Sequence, residues 1–241
     1  MHLHSELYNA LVALDREKLK AEFTSQNEFL VVEHFLPVSM LEALVAFLPS
    51  LDSRVHRNYI PAYKKGGSVS RFDLDALAPA FGQLYHAPEW RAWLNEITGA
   101  DLSFCPATDP HTYALYYYTE PGDHVGWHYD TSYYQGNRYT VLLGLVDQST
   151  CRLECELYRG DERRTPERRA LALKPGTLVL FNGDKLYHRI TPLGEGERRI
   201  ALTMEYLTDS RIMPLHRFVS NMKDAIAYFG FKAVFGHKDA A

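Results

Sequence analysis

The stretch GDHVGWHYDTSYY, residues 122–134, sets Asp123, His124, His128 and Asp130 among aromatic side chains. Read as a strand, its side chains alternate between two faces, so His128 and Asp130 share one of them. An imidazole and a carboxylate so placed are two of the three donors in a 2-His-1-carboxylate set, the arrangement suited to non-haem Fe(II). H-x-D alone does not specify a metal, because a strand histidine more often makes a hydrogen bond in a core. A third donor is needed, and His188 stands downstream in KPGTLVLFNGDKLYHRITPLGEGERRIALTMEY, just after a strand and a turn, with Arg198 and Arg199 following it. His124 and His128 also form an H-x-x-x-H pair. That spacing joins two ligands only on a helix, which Gly122, Gly126 and Trp127 oppose, so His124 is expected at the mouth of the site.

Such donors need a rigid frame, and the pattern of the chain changes near residue 100. Before it the periodicity is helical. Leu7, Leu11, Val12 and Leu14 recur at turn-like spacing, Ser39 followed by Glu42 reads as a capping box opening MLEALVAFLPS, and APEWRAWLNEITG has Pro88 near its start and Gly99 at its end. Between the last two, SRVHRNYIPAYKKGGSVSR holds Arg54, His56, Arg57, Lys64, Lys65 and Arg71 around Gly66 and Gly67 and reads as a mobile basic loop. From residue 101 the runs shorten to strand length: TYALYYY, GWHYD, RYTVLLGLV, RLECELY, ALAL, TLVLF, HRITP and RIALTMEYL, punctuated by PG, QGN, KPG and GEG. They predict a mainly β fold, a double-sheet jelly roll or closed barrel, with the helices of residues 1–100 on one outer face of a core over 101–210. Residues 211–241 turn amphipathic and helical again. Covering a sheet and pairing with a second copy as a homodimer are both open to them.

A chain of 241 residues suits one domain with an ample core. Its formal charge of -4 argues against nucleic acid as a partner, because phosphate binding needs concentrated Lys and Arg. No stretch resembles a membrane span, and the opening MHLHSELYNALVALDREKLK lacks a signal-peptide core, so a cytoplasmic protein without a membrane partner is expected. Cys105, Cys151 and Cys155 are an odd set without C-x-x-C spacing. Cys151 and Cys155 share a strand face, and reduced structural thiols are expected.

Taken together, the H-x-D pair, a distal histidine preceded by PGTLVLFNG and followed by a proline, and an arginine leading into an apolar strand resemble the Fe(II)/2-oxoglutarate-dependent dioxygenases. The pattern is closest to their prolyl-hydroxylase-like branch, and the resemblance spans residues 112–207. It implies a double-stranded β-helix, cupin-like core in which His128, Asp130 and His188 are the catalytic metal ligands. It also implies a basic residue on the penultimate core strand that holds the distal carboxylate of 2-oxoglutarate, with O2 as the second cosubstrate. If Arg199 points inward, Ala201, Thr203 and Glu205 share its face, while Ile200, Leu202, Met204 and Tyr206 form an apolar face for the helices. Counting from His188 through the loop favours Arg198 instead. Loops change length more readily than strands change face, so Arg199 is preferred and Arg198 is expected at the strand edge or on surface carboxylates. In related enzymes a tyrosine ten residues before the first ligand lines the cosubstrate pocket, which points to Tyr118. Tyr116 shares its side, and Thr203 is a further hydroxyl partner for the cosubstrate.

The implied reaction is hydroxylation with release of succinate and CO2. Halogenating relatives carry a small residue where Asp130 stands, so Asp130 favours hydroxylation. The basic stretch, Arg138 and the pair Tyr133 and Tyr134 suit a polar small molecule such as an amino acid or derivative, with Arg138, His124 and Tyr133 as its contacts. A hydroxylase acting on a protein side chain, as prolyl hydroxylases do, is the enzyme alternative. A non-catalytic cupin-like binding protein is the alternative from another class.

Overall fold

The computed structural model describes residues 3–110, 112–130 and 134–211, so the amphipathic segment expected beyond residue 211 lies outside them. The described helices are α1 (Leu3–Val12), α2 (Arg16–Ser25), α3 (Val38–Val45), α4 (Leu48–Leu51), α5 (Arg71–Leu77), α6 (Ala80–His86) and α7 (Pro88–Thr98). Helix α7 shows how these elements form. Proline occupies its first turn, where no backbone N–H is missed, and Gly99 ends it in the left-handed region at φ 68°. Its Trp90, Trp93, Leu94 and Ile97 recur at helical spacing and are all buried. Ser39 departs from its expected role. Helix α3 starts two residues earlier, at Val38 with Pro37 as its cap, and the Ser39 hydroxyl donates to Glu6 of α1 rather than capping its own helix.

Twelve strands form one antiparallel, curled sheet: β1 (Phe29–Val32), β2 (His56–Ile60), β3 (Lys64–Val69), β4 (Ser103–Phe104), β5 (Tyr113–Tyr118), β6 (His124–His128), β7 (Arg138–Gln148), β8 (Leu153–Leu157), β9 (Glu167–Leu171), β10 (Leu178–Asn182), β11 (Tyr187–Ile190) and β12 (Arg198–Leu207). The order along it is β1-β10-β7-β12-β5-β3-β6-β11-β8-β9, with β2 added beside β3 and β4 beside β12. All eight strand runs expected from the sequence are present. The four others are β4 and three from the first hundred residues. Although β10 and β11 are far apart in this order, the Phe181 and His188 rings lie 5.0 Å apart, so the sheet curls until its two halves face each other. This is the jelly roll expected from the sequence.

The basic stretch is the main departure from expectation. It is an ordered hairpin, β2–β3, and β3 joins the two halves of the roll: its first residues pair with β6 and its last with β5. Three of its charges are matched locally. Arg57 makes two hydrogen bonds to the buried Asp123 at 2.9 and 2.6 Å, Lys65 lies 3.5 Å from Glu120, and Arg71 pairs with Asp75. Asp123 also accepts the backbone N–H groups of Thr119 and Glu120, so it fixes the turn between β5 and β6. Sequence alone cannot see such pairs, because Arg57 and Asp123 meet across 66 residues.

Two apolar layers result. One lies between the helices and the outer face of β5, β7, β10 and β12, and includes Trp90, Trp93, Leu115, Leu143, Ile200, Leu202, Met204 and Tyr206. The other fills the interior of the roll with Tyr118, Val125, Leu153, Cys155, Phe181, Ile190 and Ala201. Cys105, Cys151 and Cys155 are free thiols, all buried. Among the described residues no helix is long and apolar enough to cross a membrane.

Candidate metal centre

Strands β6 and β11 lie side by side, with His128 opposite His188 and Val125 opposite Ile190. Three residues of β6 therefore span two of β11, which is a β-bulge. It turns His128 to the same side as Val125, against strict alternation. The Gly126 N–H donates to the Tyr63 carbonyl at 2.6 Å, and a Cβ at Gly126 would meet that oxygen at 3.1 Å, so the bulge is packed tightly. Asp130 lies just past the end of β6, where its N–H donates to the Gly183 carbonyl at 3.0 Å. A side chain at Gly183 would collide with the Asp130 Cβ at 2.8 Å, which explains the glycine of the FNG turn.

Nε2 of His128 is 3.2 Å from Asp130 Oδ1, and Nε2 of His188 is 3.7 Å from the same oxygen. One ligand atom from each of the three residues lies within 4.8 Å of the others, and among the described residues no other group of donors does so. The Nδ1 atoms face the Gly126 and Leu186 carbonyls at 2.8 and 3.1 Å. The Nδ1 atoms are thus taken up by backbone carbonyls, and Nε2 is the ring atom that each histidine directs at Asp130 and could offer to a metal. Burial and the neighbouring His128 push His188 down to about 4, so it is neutral near pH 7. Burial opposes ionisation of Asp130, yet His188 and His128 together hold its carboxyl well below the usual carboxylate range.

No protein-family model matches this sequence, and no curated protein matches it either. Solved structures do. The epimerase SnoN from nogalamycin biosynthesis, described as non-heme and alpha ketoglutarate dependent, aligns at a TM-score of 0.66 and 15% identity over 83% of each chain. The fold is that of the iron- and 2-oxoglutarate-dependent oxygenases. The carbocyclase SnoK from the same pathway aligns at 0.66 with 14% identity, over 88% of this chain and 92% of its own. A prolyl-4-hydroxylase from Pseudomonas putida aligns at 0.60 with 17% identity, over 80% of this chain and 98% of its own. SnoN is also solved in complex with Fe3+, alpha ketoglutarate and nogalamycin RO.

In this oxygenase fold, β12 supplies the rest of the site. Arg199 is 2% exposed, its guanidinium lies 5.0 Å from the centre of the Tyr118 ring, and its Nε has no hydrogen-bond partner among the described residues. A buried cation left in this state is costly unless an anion joins it, so the site fits the distal carboxylate of 2-oxoglutarate. Arg198 points the other way, half-exposed and 3.9 Å from Asp52. Burial pushes the Tyr118 hydroxyl up to about 12 against the pull of Arg199, so it stays protonated as a donor beside that cation. Tyr116 is likewise held well above the usual range by burial and by Glu205, and Lys64 lies 5.1 Å from the centre of its ring. Thr203 is buried on the Arg199 face.

The residues expected to meet substrate divide. Arg138 reaches inward, but its Nε donates to Glu205 at 2.6 Å, so its charge is already matched. His124 pairs with Lys65 next to Val125 and hence on the opposite face, with Nδ1 2.7 Å from the Gly122 carbonyl; it is not among the clustered donors. Tyr134 donates to Asp109 at 3.0 Å in a separate small cluster with Cys105 and Leu207, a structural role instead of a substrate contact. Tyr133 lies outside the described residues.

The sequence reading gave no role at the site to three buried groups, Thr140, Lys64 and Glu205, although it placed Glu205 on the Arg199 face. Thr140 lies 2.9 Å from Asp130 Oδ2 and 3.0 Å from Glu205 Oε2, and Lys64 is 1% exposed. Burial pushes Glu205 up to about 7 against the pull of Arg138. A signal existed for Glu205: alternation from Arg199 puts a carboxylate on the inner face, where it requires a cation or a proton.

Proposed function

We propose that this chain is an Fe(II)- and 2-oxoglutarate-dependent oxygenase that hydroxylates a polar small molecule such as an amino acid or derivative. The observation that carries the reading is the pairing of the His128, Asp130 and His188 donor cluster with a buried, incompletely bonded arginine inside the same roll. His128, Asp130 and His188 would hold the iron. Bound iron, with 2-oxoglutarate and O2, supplies oxidative decarboxylation to succinate and CO2 coupled to oxygen insertion at a substrate C–H bond. Arg199 would hold the distal carboxylate of 2-oxoglutarate, with the Tyr118 hydroxyl beside it. Val125, Leu153, Phe181 and Ile190 line the interior with apolar surface and exclude water from the reacting groups.

A small-molecule substrate draws support from SnoN and SnoK, which act in nogalamycin biosynthesis. The likeness to a prolyl-4-hydroxylase supports the protein-directed alternative at a similar level of fold similarity. Anaerobic addition of Fe(II) and 2-oxoglutarate to the metal-free protein tests the assignment through the visible charge-transfer band of the chelate. A band, followed by succinate release stimulated by a free amino acid and not by proline-containing peptides, is the expected result. A folded protein that binds iron without the band would favour the cupin-like binding protein.

A further inference from the structure

Thr140 lies on β7, across from Glu205 on β12, and both side chains face the interior of the roll. Its hydroxyl has one hydrogen and two carboxylate neighbours, Asp130 Oδ2 at 2.9 Å and Glu205 Oε2 at 3.0 Å. Donor supply decides between them. Glu205 Oε2 already accepts from Arg138 Nε at 2.6 Å, whereas Thr140 is the donor to Asp130 Oδ2 among the described residues. One donor is thereby allotted to each carboxylate, and the order runs Arg138 to Glu205, then Thr140 to Asp130. The remaining Asp130 oxygen, Oδ1, is the one that faces Nε2 of both His128 and His188.

We infer that Thr140, backed by the Glu205–Arg138 pair, is a positioning residue that reserves Asp130 Oδ2 and presents Oδ1 alone to the metal. This rests on the oxygenase reading above, and deepens it. A carboxylate free to rotate can offer both oxygens and occupy a position that the cosubstrate or O2 requires. A hydrogen bond on one oxygen prevents this, and groups that orient a ligand in this way typically change metal affinity by about 10- to 100-fold when removed. Thr140 is 0% exposed, so the bond does not compete with water.

Thr140→Val keeps the shape and removes the hydroxyl, and Thr140→Ser keeps the hydroxyl and removes the methyl. Fe(II) affinity is read by anaerobic titration of each metal-free variant, and the charge-transfer band is read after 2-oxoglutarate is added. Far-UV circular dichroism and thermal melting check folding, and Thr140→Ala replaces the valine variant if that one does not fold. Fe(II) binding weaker by about 10-fold or more in the valine or alanine variant, with a shifted band, and wild-type behaviour in the serine variant are expected. Affinity and band unchanged in a folded valine or alanine variant, or a serine variant as impaired as valine, would overturn the inference while leaving the oxygenase reading intact. Absence of the band in the wild type would instead remove the reading on which it rests.

Discussion

The two faces of β12 separate stability from chemistry within ten residues. Ile200, Leu202, Met204 and Tyr206 look outward into the helices, where the Trp90 indole N–H donates to the Tyr206 hydroxyl at 2.9 Å and apolar area is removed from water. Arg199, Thr203 and Glu205 look inward and are almost as deeply buried, yet each brings a polar group whose desolvation opposes folding. Equal burial thus has opposite energetic meaning on the two faces. The inner face is tolerable because the outer one stabilises the same strand.

Substitutions that exchange the two kinds of behaviour test this contrast. Replacing Arg199 with methionine, of similar bulk, should weaken 2-oxoglutarate binding by about 100-fold or more, while the metal-free protein melts at the same temperature or higher. A titration of the chelate band beside a thermal melt measures both, and a large loss of stability would contradict the idea that this cation is a burden in the empty fold. On the outer face, Leu202→Ala should cost about 3 kcal/mol in urea denaturation and leave the chelate band of the folded fraction unchanged.

The inner groups also predict opposing responses to pH in the metal-free protein. His188 titrates near 4 when folded, below the ordinary value of 6.5, so the unfolded chain takes up its proton first and stability falls as pH drops from about 6.5 to 4. Glu205 titrates near 7 when folded, above its ordinary 4.5, so its contribution is present at low pH and is lost as pH rises from about 4.5 to 7. Each effect is about 3 kcal/mol and the two largely offset. Urea midpoints measured from pH 4.5 to 7 should therefore vary little for these groups in the wild type. Stability should rise on acidification for His188→Asn and fall for Glu205→Gln, and identical slopes in the two variants would refute the assignment. The smallest effect belongs to Arg198→Ala, on the exposed side of the strand end: stability should change by less than about 0.5 kcal/mol and 2-oxoglutarate binding should match the wild type.

Much of this site was legible in one dimension. The shared face of H-x-D and the alternation that turns Arg199 inward follow from local rules of side-chain direction, which a strand obeys whatever surrounds it, whereas His188 as third donor was implied by the family resemblance that the PGTLVLFNG run carries. The basic hairpin was misread because its order comes from Asp123, and charge with paired glycines looks the same in a loop and in a strand whose partners are distant. His124 was misplaced by the β6 bulge. It was expected at the mouth of the site, whereas the extra residue between Val125 and His128 leaves it on the face opposite His128.

The sequence by itself determined the strand pattern, the shared face of His128 and Asp130 as an H-x-D pair and the division of β12 into an apolar and a polar face, because these depend on neighbours one to four positions away. Only the tertiary structure decided the bulge, the closure that brings Phe181 of β10 against His188 of β11, and the meeting of Arg138 with Glu205 across 67 residues. Those features arise from packing and hydrogen bonding between segments that no local spacing relates. The choice of which Asp130 oxygen is held belongs to the same class, since its partner Thr140 reaches it from another strand of the roll.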